Sequence, residues 1–159
     1  MTTTEQTATT GTADREMVLT RDFDAPRELV FRAFTEPAHL SQWWGPDGFT
    51  TTTHAIDVRP GGQWRFIMHG PDGTDYPNRI EYREITPPER LFYLHDSDVD
   101  DDPARMEVTV TFEDLGGRTR LTMRTLFPTA EQRAATARFG AVELGNQTLR
   151  RLGEHLAKM

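Results

Sequence analysis

A chain of 159 residues with no cysteine and a formal net charge of −7 has the length of one domain, a size at which about 68–70% of the unfolded surface is buried. The lack of thiols excludes disulfides, thiolate metal sites and cysteine nucleophiles, and the acidic balance argues against nucleic acid, whose readers carry basic patches for phosphates. No apolar run approaches the roughly 18 residues that span a bilayer, and no basic start leads into an apolar run as in a secretory signal, so a cytoplasmic protein is expected.

Residues 1–14 are rich in Thr and poor in apolar side chains. They cannot bury enough surface to offset ordering and are expected to form a disordered tail, with the folded domain over 15–159. The alternation from Glu16 to Phe23 predicts a first strand with Met17, Leu19 and Phe23 inward. Asp24-Ala25-Pro26 then starts a helix, since a proline N–H has no helical partner at that point anyway. Leu29, Val30, Ala33 and Phe34 form its apolar stripe. Thr35-Glu36-Pro37 restarts a second, short helix carrying Leu40, Trp43 and Trp44, which Gly45-Pro46 stops.

From Phe49 the apolar period changes to two. Strands are predicted over 50–58, 62–69, 76–85, 90–96, 105–113 and 118–126, separated by turn residues such as Pro60-Gly61-Gly62, Gly70-Pro71-Asp72-Gly73 and Gly116-Gly117. Short breaks between successive strands imply an antiparallel meander. Met106, Val108, Val110 and Phe112 alternate with Glu107, Thr109, Thr111 and Glu113, so the sheet has one buried and one wet face. A long helix is predicted over 129–157, opened by the capping pair Thr129 and Gln132. Its stripe runs through Ala135, Phe139, Val142, Gly145, Leu149, Leu152 and Leu156. The order of elements gives an α+β fold, a curved antiparallel sheet of about seven strands wrapped on the terminal helix.

Few residues carry chemistry by spacing alone. Trp64, Phe66 and Met68 share a strand face and fit either core packing or a cavity wall. Of Trp43 and Trp44, one is expected to pack and the other to sit at a cavity mouth. The glycines of Pro60-Gly61-Gly62 open a strand rather than a helix, so this is a hairpin turn and not a phosphate loop. The five histidines, His39, His54, His69, His95 and His155, show no compact ligand spacing, and no metal or other cofactor is expected. His54 and His95 fall in strands, and either would be the best acid or base if it faced inward. Asp96-Ser97-Asp98-Val99-Asp100-Asp101-Asp102 with Glu107 imitates a calcium loop. Asp101 stands where that loop needs glycine, and the flanks are strands, so a solvated acidic loop is expected. Tyr82 shares parity with Ile80 and would point in; Arg79 has the opposite parity and would point out. No Gly-x-Ser-x-Gly elbow is present.

In order, Phe23-Asp24-Ala25-Pro26 with Val30-Phe31-Arg32-Ala33-Phe34, Trp43-Trp44-Gly45-Pro46 and Asp57-Val58-Arg59-Pro60-Gly61-Gly62 resemble a known family. The resemblance continues through Gly70-Pro71-Asp72-Gly73, Tyr76-Pro77-Asn78-Arg79, Glu84-Ile85 with Pro87-Pro88-Glu89-Arg90-Leu91, and Gly117-Arg118-Thr119-Arg120-Leu121-Thr122. It covers roughly residues 16–157. The family is named for its similarity to the C-terminal domain of the activator of the ninety-kilodalton heat-shock protein's ATPase. It sits in the SRPBCC or START-like superfamily, which shares the helix-grip fold of the birch-pollen allergens.

The resemblance implies a cavity between the sheet and the terminal helix that takes a small hydrophobic or amphipathic molecule, for sequestration or carriage. The residues expected to line it are Trp44, Trp64, Phe66, Met68, Tyr82, His95, Met106, Val108, Leu121, Met123, Val142 and Gly145. Two alternatives stand beside it: a polyketide cyclase or aromatase, and a self-protection protein that captures a reactive natural product such as an enediyne. Chaperone activation is not expected, because the partner domain of true activators has no counterpart here. A monomer or homodimer is expected. Relatives carry Gly-Trp in the terminal helix where this chain has Leu144-Gly145, so Gly145 is expected to face inward and enlarge the cavity.

Overall fold

Phe23, Pro26 and Pro37 divide the first third of the chain. The computed structural model describes residues 14–159, so the expected tail lies, apart from Asp14, outside the described residues. Strand β1 (Glu16–Phe23) is followed by α1 (Arg27–Thr35) and α2 (Pro37–Trp43). The two helices meet at Glu36, which is extended (φ −91°, ψ 124°) because a following proline crowds the helical conformation. Val30, Phe31, Ala33 and Phe34 of α1 and Leu40 and Trp43 of α2 are buried. The Trp43 indole N–H satisfies itself on the Ala33 carbonyl at 3.1 Å.

Six strands then follow: β2 (Thr50–Ile56), β3 (Gln63–His69), β4 (Asp75–Thr86), β5 (Arg90–Asp96), β6 (Met106–Asp114) and β7 (Thr119–Leu126). With β1 they form one seven-stranded antiparallel sheet in the order β1-β7-β6-β5-β4-β3-β2. The sheet is therefore a meander whose last strand returns to the first. Register sets the inner face. One row runs Trp64, Ile80, His95, Met106, and another runs Tyr82, Tyr93, Val108, Thr125, Met17.

The Pro60-Gly61-Gly62 turn is a structural device, as its place before a strand predicts. Gly61 N–H donates to the Tyr82 carbonyl (2.8 Å) and Tyr82 N–H donates to the Gly62 carbonyl (3.0 Å). A Cβ on Gly62 would lie 2.0 Å from the Asp57 carbonyl oxygen, so only glycine fits. The turn is thereby stitched to β4 beside the bulge between Tyr82 and Glu84.

The single terminal helix expected over 129–157 is two helices, α3 (Ala130–Arg138) and α4 (Ala141–Leu156). Gly140 takes φ 97° between them, the left-handed conformation that commonly ends a helix at a glycine. Thr129 caps α3 by accepting the Gln132 N–H at 3.1 Å, but the Gln132 side chain reaches the Pro103 carbonyl instead of closing the reciprocal half of the box. The break resets the helical phase. Phe139 is 79% exposed and Val142 43% exposed, so the stripe predicted through them does not exist there. α3 buries no side chain, whereas α4 buries Leu149, Leu152 and Leu156.

The acidic segment also differs from expectation. Asp96 is buried and pairs with Arg79 (3.1 Å) and Arg105 (3.2 Å). Asp98 pairs with Arg65 (3.0 Å) and Asp100 with Arg79 (2.9 Å). Arg79 points to the outer face as its parity predicts, yet it is buried under this loop. Its pKa is raised by the Asp96 and Asp100 hydrogen bonds, and the Arg79 guanidinium holds Asp100 below the usual carboxylate range. The run of aspartates is thus a latch closed over arginines.

Candidate functional site

A half-open cavity of about 260 Å³ lies between the sheet and the helices. Its floor is the inner face of β1, β7, β6 and β5: Met17 and Leu19, Met123 and Thr125, Met106 and Val108, Tyr93 and His95. Met68 of β3 and the Trp43-Trp44-Gly45-Pro46 segment close one side. Phe127, Thr136 of α3, and Ala141, Gly145, Thr148 and Leu149 of α4 close the rest. Four of the chain's six methionines line it. Methionine is unbranched and polarizable, so such a wall adapts to ligand shape more readily than one of branched side chains.

Seven of the twelve residues expected at the cavity line it: Trp44, Met68, His95, Met106, Val108, Met123 and Gly145. Trp64, Phe66, Tyr82 and Leu121 face inward but are packed core. The Trp64 and Phe66 rings stack at 3.9 Å, and Trp44 meets Trp64 edge-on at 5.0 Å. These aromatics fill the interlayer space at the α2 end, so the gap opens only toward β1. Val142 is exposed and lines nothing, because the break at Gly140 turns it outward. Trp43 and Trp44 both line the cavity, rather than one packing and one gating. Parity could have supplied three residues the sequence reading left out. Tyr93 alternates with Leu91 and His95, and Met17 and Leu19 had already been assigned inward.

Gly145 faces β1. A Cβ there would fall 2.5 Å from Leu19 Cδ1, so the glycine lets α4 approach the edge strand as well as leaving room beside it.

The polar groups at the wall are few. His95 Nε2 lies 2.8 Å from Asn78 Oδ1. Its Nδ1 has no partner among the described residues and is not sealed from solvent. Burial lowers its pKa to about 4, against a smaller opposing pull from the Asp96 carboxylate. The imidazole is therefore neutral at physiological pH. The Tyr93 hydroxyl likewise has no partner among the described residues, and burial raises its pKa, so it stays protonated. The Thr136 and Thr148 hydroxyls donate to their own helix carbonyls, Gln132 at 2.8 Å and Leu144 at 3.1 Å. Tyr93 and His95 are the titratable side chains of the lining, and they sit two residues apart on one strand. His54, the other candidate, is exposed at the bulge between Thr53 and Ala55.

Among the described residues no three His, Asp or Glu side chains converge as a metal site would need. The structure does join His39 Nδ1 and His155 Nε2 at 3.0 Å, with Glu36 3.5 Å from His39, where α2 meets α4. A separation of 116 residues hid that pair from any spacing argument. Among the described residues no helix is long and apolar enough to cross a membrane.

Residues 24–157 match the family described as Activator of Hsp90 ATPase homolog 1-like protein. The chain belongs to that family. The family's helix-grip fold, in the START-like superfamily, is the fold described above. No functionally curated protein matches the chain. Among solved structures, a crystal structure from Nitrosomonas europaea is 27% identical with a TM-score of 0.83, covering 92% of this chain and 96% of that one. A protein of the same family from Silicibacter pomeroyi is 25% identical with a TM-score of 0.72, covering 89% and 97%. An Arthrobacter aurescens protein solved by NMR superposes with a TM-score of 0.85 at 24% identity, covering 95% and 91%, and it speaks for the fold alone.

Proposed function

We propose that this protein binds a small hydrophobic or amphipathic molecule in the cavity under α4 and acts as a cytoplasmic carrier or scavenger of it. The observation that carries the reading is the lining: four methionines, two tryptophans and aliphatic side chains around about 260 Å³, with two titratable groups on one side only. Ligand pockets are mostly apolar with a few placed polar groups, and this one has that composition. Binding comes from apolar area removed from water, at about 25 cal/mol per Å².

The same lining speaks against a cyclase or aromatase. Acid–base chemistry on a bound chain needs a second group opposite the first. Across from Tyr93 and His95 stand Thr136, Gly145, Thr148 and Leu149. The volume also falls short of the roughly 300–1,000 Å³ of drug-sized pockets, which disfavours capture of a large enediyne.

The test is a fluorescence titration with N-phenyl-1-naphthylamine, a neutral apolar dye that brightens when buried. Wild type is expected to give a saturable rise. Gly145→Trp fills the cavity from α4 and is expected to weaken binding at least tenfold with the circular dichroism spectrum unchanged. If that variant unfolds, Ala141→Trp fills the same space from the first turn of α4. Equal dye binding by wild type and a folded filled variant would overturn the reading.

A further inference from the structure

We propose that the cavity selects neutral apolar molecules bearing one hydroxyl, an alcohol or phenol that donates its hydrogen to His95 Nδ1, and excludes carboxylates of the same shape. The inference rests on the cavity being the ligand site and specifies what enters it.

Asn78 fixes the polarity of the histidine. Its side-chain Nδ2 donates to the Tyr76 carbonyl at 2.8 Å, and a carbonyl can only accept, so the amide has one orientation. Its Oδ1 is therefore the atom 2.8 Å from His95 Nε2. An amide oxygen cannot donate either, so Nε2 carries the ring hydrogen. In a neutral imidazole the other nitrogen then presents a lone pair. That nitrogen is Nδ1, which has no partner among the described residues, is not sealed from solvent, and belongs to a side chain that lines the cavity. The wall thus offers a strong acceptor that asks for a donor.

Little else competes for it. Thr136 and Thr148 have spent their hydrogens on helix carbonyls, and thioethers accept only weakly. The Tyr93 hydroxyl and the Thr125 hydroxyl, on either side of Val108 in one register row of the same floor, are available to a ligand oxygen as donors. A hydroxyl both donates and accepts, which matches this set.

A carboxylate does not match it. It brings no hydrogen to Nδ1, and among the described residues no cationic side chain lines the cavity. The Arg151 guanidinium, beside the lining segment at Gly45 and Pro46, is turned to their carbonyls at 2.7 and 3.0 Å. An unpaired anion would be desolvated against methionine and tryptophan, which costs far more than an apolar wall returns. A purely apolar molecule enters but strands the Nδ1 acceptor, losing a factor of about ten to a hundred relative to the alcohol.

Three probes of one shape separate the possibilities: 2-naphthol, naphthalene and 2-naphthoate, titrated into full-length protein near neutral pH by NMR. 2-Naphthol is expected to bind at least tenfold tighter than either of the others. Long-range nitrogen–proton spectra of the imidazole are expected to show hydrogen on Nε2, with the Nδ1 resonance moving when naphthol binds and staying when naphthalene does. In His95→Phe the affinities for naphthol and naphthalene are expected to become equal. Equal affinities for naphthol and naphthalene, preference for naphthoate, hydrogen on Nδ1, or a preference that survives in folded His95→Phe would each overturn the inference and leave the cavity reading standing. If none of the three probes binds, the cavity reading falls and this inference falls with it. Should His95→Phe not fold, the wild-type affinity ratio and the imidazole spectra decide alone.

Discussion

Acidification should weaken this protein through His95 in a way one substitution can isolate. Its folded pKa is about 4 against 6.5 for the free side chain. The depressed value means that the unfolded chain takes up a proton which the folded one refuses. Stability therefore falls as pH drops through 6.5 and stops falling below about 4. The full gap of about 2.5 units is worth roughly 3 kcal/mol at 1.36 kcal/mol per unit. Between pH 7 and pH 5 the linkage relation gives about 2 kcal/mol of that loss. Other groups titrate over the same range. His155, lowered by burial and by His39, adds a loss of the same sign, and Asp22 and Asp100, paired with arginines, and Asp102, held by the Ala104 and Ser97 N–H groups, respond lower down. The assay is therefore differential: urea unfolding of wild type and His95→Gln at both pH values. Glutamine keeps a donor for Asn78 and has no charge to gain. The wild-type midpoint should fall further than the variant's by about 1 M urea, for a slope of roughly 2 kcal/mol per M. Parallel losses in the two proteins would refute the reasoning, because they would mean His95 accepts its proton as readily folded as unfolded.

Two further outcomes follow from the outer face and from the helix break. Arg79→Met removes the main partner of buried Asp96 and should cost about 3 kcal/mol in urea unfolding, whereas Asp100→Ala, on an exposed carboxylate of the same latch, should leave the midpoint unchanged. The amides of α3, which buries no side chain, should exchange with deuterium well before those of α4 around Leu149 and Leu152; equal protection in hydrogen-exchange mass spectrometry would contradict a loosely docked α3.

Much of this architecture was readable because the rules involved are local. Proline and glycine punctuate the elements, Thr129 caps α3, and strict alternation assigns Met106, Val108, Val110 and Phe112 to the inner face. The break at Gly140 was not readable from periodicity, since Phe139 and Val142 continue the stripe at helical spacing. Only the left-handed glycine overrides it. The arginine latch escaped for a different reason: Arg79 and Asp96 are 17 residues apart, and Arg65 and Asp98 are 33 apart. A run of aspartates reads as solvated until its distant partners are known.

Parity separates inward from outward, but it cannot tell a filled interior from an empty one. Trp64, Phe66 and Tyr82 have the same inward parity as Met68, Tyr93 and His95, and only the latter three border empty space. What separates them is what packs above each point of the sheet. At one end the Trp64 and Phe66 rings, stacked on each other and met edge-on by Trp44, fill the space between the layers. At the other end the Leu19 side chain runs directly under Gly145, and the missing Cβ sets how near α4 can come to β1. Between these two supports the layers are bridged by methionine, threonine and valine, which are too slim to meet. The cavity is the volume those side chains fail to span, and His95, whose Nδ1 has no partner among the described residues, borders that unspanned stretch.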